Sequence, residues 1–167
     1  MDDAQRLHEL ASVFRKLGVR DPEAYAQSEV ERGMPVLALM YFLRRAFDEL
    51  VQDNDTSWMK PVLHSSHFPT SCRRSLERIL KAGVDRQDVT QLVRCMQHEL
   101  LVDLVFLIDG TTAYHFDDPE LRKHLGPVGW TLFQVDDNGH PTAPMKAMHE
   151  LLDEIDSGAR LRNDRNA

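Results

Sequence analysis

Residues 85–109, DRQDVTQLVRCMQHELLVDLVFLID, read as one long helix whose second half is apolar on almost every face. A helix with so little polar surface asks for other helices around it, so this stretch predicts an all-α, mainly helical architecture. It places Leu104 among the enclosed residues, where an introduced aspartate would unfold the protein. No catalytic signature accompanies it.

The rest of the chain reads as helix punctuated by Gly and Pro. A first helix spans about 3–17, with Leu7, Leu10, Phe14 and Leu17 on one face and Gly18 as its stop. Asp21-Pro22, an N-cap acid before a proline at the first helical position, opens a second helix that Gly33 ends. Pro35 opens a third to about residue 52, whose Val36, Leu39, Met40, Leu43, Phe47 and Leu50 form a wide apolar stripe. This helix and the 85–109 helix are expected to pack centrally. Residues 53–70, with Pro61 and Pro69, read as loop pinned by Trp58. Residues 71–82 form a helix with Cys72, Leu76, Ile79 and Leu80 inward, closed by Gly83 into an αα-hairpin. Beyond residue 109, Asp118-Pro119 opens a short candidate helix. Residues 130–135, WTLFQV, read as a strand followed by the turn Asp136-Asp-Asn-Gly139, with the proline-bearing 141–144 stretch as its edge partner. A last helix covers 145–155. The expected whole is a single helical domain over 1–157, a bundle of about six or seven helices with a small C-terminal β-hairpin or single strand, and a flexible tail over 158–167.

A net charge of −7 argues against a protein built to grip phosphate backbone, and the excess acid lies toward the two ends of the sequence. Arg74, Arg78 and Lys81 make a basic stripe before a turn and a helix, but that following helix is too long and apolar for a recognition helix, which leaves a nucleic-acid-associated regulator as a minor alternative. The acidic, already amphipathic N-terminus is unlike a secretory signal, no uncharged apolar run is long enough to span a bilayer, and two cysteines are too few for a disulfide framework. These features predict a cytoplasmic protein without a membrane partner.

Three constellations could carry chemistry. His64, His67, Cys95 and His98 offer zinc-type ligands at three-residue spacing, the basis of an alternative reading as a metal-dependent or other small enzyme. Without that ligand set, no cofactor is expected. His98-Glu99 and His149-Glu150 each match half of the metalloprotease helix motif, but Val102 and Asp153 stand where the second His is needed. Glu99 and Asp103, four apart on the long helix, would need cations if buried, and Arg44 and Arg45 are the expected structural partners. The aromatic run Trp130 to Phe133 beside Asp136, Asp137 and Asn138 combines an anchor with a polar rim, as protein interfaces do.

The ending WTLFQVDDNGHPTAPMKAMHELLDEIDSGAR, residues 130–160, resembles the recurring end of small bacterial helical proteins, a likeness that carries no activity with it. In general character, acidic and rich in helix, the chain resembles toxin-neutralising immunity proteins. That likeness implies a non-catalytic protein-binding module, of immunity or antitoxin type, which covers a basic bacterial toxin or effector.

Overall fold

The structure, a computed structural model, describes residues 2–109 and 131–155. The protein is mainly helical, with a small antiparallel hairpin near its C-terminus. The helices are α1 (Asp3–Lys16), α2 (Pro22–Arg32), α3 (Val36–Asp48), α4 (Met59–His64), α5 (Thr70–Lys81) and α6 (Arg86–Ile108). Strands β1 (Leu132–Val135) and β2 (Pro141–Met145) follow, then a 3-10 turn, Met148–Leu151, that runs into the short helix α7 (Leu152–Ile155). The candidate helix at Asp118 and the tail over 158–167 lie outside the described residues. No helix among the described residues is long and apolar enough to cross a membrane.

The described residues fall into two compact units, one of residues 2–47, 102–109 and 131–155, the other of 48–101. In the first unit, the local signals act as their chemistry requires. Asp2 and Asp21 cap α1 and α2 by accepting from the backbone N–H of Gln5 and Ala24. Gly33 ends α2 at φ 65°, in the left-handed region where a side chain is strained. Ala11, Phe14, Ala26, Val36, Leu39, Met40, Leu43 and Phe47 are buried, and the Tyr25 ring lies 6.0 Å from that of Phe14. The C-terminal elements join this core through Met145, Met148 and Leu151, all buried. Two carboxylates fasten them. Glu154, nearly buried, accepts from the backbone N–H of Arg20 at 3.1 Å and pairs with its guanidinium at 3.2 Å. Asp109, whose side chain is fully buried, accepts from both the backbone N–H of His149 at 3.1 Å and its ring Nδ1.

In the second unit, Met59, Val62, Leu76 and Val89 form the core, with Trp58, Leu63, Leu80 and Val93 packed against it. Residues 59–64 are helical, although Pro61 suggests loop. Pro61 falls in the first turn, where its missing N–H has no intrahelical partner to lose. Trp58 does pin the segment, donating its indole N–H to Thr90 Oγ1 at 3.1 Å, while the buried Thr90 hydroxyl donates to the Arg86 carbonyl at 2.8 Å. Arg94 holds the incoming chain, donating to the Val51 carbonyl at 2.7 Å and pairing with Asp53 at 3.1 Å. Cys72, expected inward on α5, is exposed.

Helix α6 departs from its expected enclosure. Val89 and Thr90 are buried, yet Leu92, Met96 and Leu100 are 62%, 66% and 60% exposed. The reason is reach: α6 has 23 residues, about 34 Å, whereas α4 and α5 have 6 and 12 and pack on only one of its faces. Leu104 is likewise 41% exposed, and its neighbour Val105, at 2%, is the enclosed residue. Val105→Asp should therefore abolish cooperative unfolding by burying an unpaired charge, a cost of several kcal/mol. Leu104→Asp should lower stability by only about 1 kcal/mol. Thermal unfolding of the two variants checks the assignment, and the reverse order would contradict it.

Candidate protein-docking surfaces

The hairpin owes its shape to Asp136. Its carboxylate accepts from the backbone N–H of Asn138 at 2.8 Å and of His140 at 2.9 Å, and His140 Nδ1 lies 3.3 Å from its other oxygen. The Gly139 N–H closes the turn on the Asp136 carbonyl at 2.9 Å, with Gly139 at φ 82°, the left-handed position that a three-residue hairpin loop places before the returning strand. Pairing then sets Leu132 against Met145, Phe133 against Pro144 and Gln134 against Ala143. Period two puts Leu132 and Met145 on the inner face, where Met145 is buried, and Phe133 and Val135 outward, each about half exposed. Asp137 and Asn138 are exposed at the loop tip. An anchor and a polar rim thus occur together at Phe133, Asp136, Asp137 and Asn138, while Trp130 lies outside the described residues.

A second apolar surface lies on α6. Leu92, Met96 and Leu100 recur every four residues along α6 and form one exposed stripe. Asp88, four residues before Leu92, and Glu99, three after Met96, are both exposed beside it. The nearest cation on the same stretch, Arg94, is mostly buried and engaged with Asp53 and Val51. The edge of the stripe is therefore acidic. Its signal in the sequence was the apolar run itself, which suggests enclosure when neighbouring helices are assumed to cover it.

The zinc-type residues do not converge. His64, His67 and Cys95 are exposed, His98 is half-buried with its Nδ1 3.6 Å from Glu99, and no group of three or more His, Cys, Asp or Glu side chains among the described residues is arranged to hold a metal ion. Glu99 and Asp103 are exposed and need no buried cation, and Arg44 instead donates to the Leu17 carbonyl. Arg74, Arg78 and Lys81 are a solvated face of α5.

Asp109, one residue beyond the end of α6, carries a buried and engaged carboxylate. His149 Nδ1 points to Asp109 and its ring sits 5.4 Å from that of Phe106, so Nε2 is the ring's remaining polar position. One oxygen of Asp109 takes both contacts from His149, and the other has no hydrogen-bond partner among the described residues. The two residues are 40 positions apart, a separation that helical periodicity does not report.

The hairpin makes a prediction about pH. The backbone N–H of His140 above all holds the Asp136 carboxyl below the ordinary aspartate range; desolvation opposes it, and the backbone N–H of Asn138 adds to the lowering. A folded value below the unfolded one means the turn's stabilisation is present above the ordinary aspartate range and fades as pH falls through the lowered folded value. Amide shifts of Asn138 and His140 should titrate together with an acid midpoint below that of an unstructured aspartate. A midpoint at or above the unstructured value would remove the carboxylate from the turn. No protein-family model, curated protein or solved structure matches the chain.

Proposed function

We propose that this protein is a non-catalytic protein-binding module, and that the α6 stripe of Leu92, Met96 and Leu100 seats a basic amphipathic helix of its partner. The observation that carries the reading is the exposed stripe with its acidic edge. Scattered surface leucines are ordinary, but three large apolar side chains in line on one helix form a row that a second helix can match at the same spacing. Asp88 and Glu99 at the margin, within a chain of net charge −7, favour a partner with lysine or arginine beside its apolar face. Phe133 and Val135 give the hairpin an apolar face of its own. The finer reading is of immunity or antitoxin type, in which a basic toxin or effector is covered; it rests on the acidic, helix-rich character of the chain.

The test uses a synthetic 14-residue amphipathic helix of leucine and lysine, titrated into the intact protein and into Met96→Glu. Met96 is exposed, so the variant should fold normally. Attraction by charge alone would strengthen when a carboxylate is added, whereas apolar seating should weaken about tenfold or more. Weaker binding in Met96→Glu supports the proposal, and equal or tighter binding overturns it. Light scattering covers the other occupant: a dimer that Met96→Glu dissociates would assign the stripe to a second copy of the chain. For the immunity reading, co-expression with the product of the neighbouring reading frame should give co-purification and growth rescue, both lost in Met96→Glu. Neither effect in the wild type would remove that role.

A further inference from the structure

We infer that the cleft among α1, α2 and α3 is a binding site for a small amphiphilic carboxylate, with the headgroup on Arg44 and the apolar chain along α3. This inference is independent of the α6 stripe. The cleft encloses about 450 Å³, within the range of small-molecule sites. Its walls are Val13 and Leu17 from α1 and Leu37, Ala38 and Tyr41 from α3. Leu37, Tyr41 and Arg44 lie at i, i+4 and i+7, so they share one side of α3, while Leu39, Met40 and Leu43 fill the core on another. Helix α3 therefore has apolar surface left over after its core is packed, and that surface lines a concavity instead of a flat face.

Charge chooses the ligand. Arg44 is half-buried at the cleft and donates to the carbonyl of Leu17, the C-cap of α1, with one of the guanidinium's five N–H groups. Among the described residues it forms no salt bridge with a carboxylate. A partly desolvated guanidinium against an apolar wall is matched by a planar pair of acceptor oxygens, which a carboxylate supplies. Glu29, the other charge at the cleft, is committed elsewhere: its Oε2 accepts from the Leu37 N–H at 2.8 Å, in the first turn of α3, where the helix end favours negative charge. Seven residues separate Leu37 from Arg44, about 10 Å along the helix axis. Glu29 is thus held at the Leu37 end of the α3 wall, with Ala38 and Tyr41 between Leu37 and Arg44 in sequence. Gln134 of β1 adds an amide at the rim.

The test is calorimetric titration of the full chain with decanoate, decanol and decylamine, each below its aggregation concentration. Decanoate should bind about tenfold or more tightly than either of the others. Arg44→Gln should make decanoate and decanol equal. Because Arg44 also holds the end of α1, a second variant, Ala38→Phe, fills the apolar wall and leaves the cation in place; it should abolish decanoate binding. No decanoate binding to the wild type at millimolar concentration, equal affinity for the three ligands, or a preference for decylamine would each overturn the site. So would undiminished decanoate binding in Ala38→Phe.

Discussion

Within residues 48–101, everything else depends on how α6 divides its surface. A helix of 23 residues offers apolar side chains to every side, and its neighbours there, α4 and α5, are a quarter and half its length. They can bury only the side that carries Val89 and Val93. Thr90, on that buried side, would be a liability were its hydroxyl unpaired. It receives the Trp58 indole N–H and donates to the Arg86 carbonyl, so one fully enclosed polar group anchors the segment between α3 and α4 to the helix.

In the other unit, the corresponding problem is to fasten short C-terminal elements that have little propensity of their own. Two strands of four and five residues, a single 3-10 turn and a four-residue helix cannot persist alone. Met145, Met148 and Leu151 bury apolar area, and Glu154 and Asp109 add directional bonds to Arg20 and His149. The carboxylates matter because each accepts a backbone N–H as well as a side-chain contact, which fixes the position of the chain as well as its charge.

Much of this was legible locally and little of it at long range. Asp21-Pro22, Gly33 and Gly139 act through their own backbones within three or four residues, so a linear reading finds them. Pro61 misleads because the same residue that breaks a helix interior is tolerated in a first turn, and only the placement of Trp58 and Met59 decides which applies. A pairing of Arg44 and Arg45 with Glu99 and Asp103 follows from the sequence only if that helix is enclosed. With that face of α6 open to water, the acids stay solvated, and the buried carboxylates among the described residues are Asp109 and Glu154, whose partners lie 40 and 134 positions away. The histidines and Cys95 had suitable spacing along the chain but no convergence in space, which ligand spacing alone cannot supply.

Helix formation does not explain why Leu92, Met96 and Leu100 are apolar. Glutamate, glutamine, lysine and arginine have nearly the same helix propensity as leucine and methionine, and each would hydrate better at an exposed site. Folding of residues 48–101 gains little from these three side chains, because more than half of each remains in water. An apolar row that contributes so little to folding, on a helix whose adjacent exposed positions hold Asp88 and Glu99, leaves this stretch of α6 with apolar area in water that neither helix propensity nor core packing accounts for.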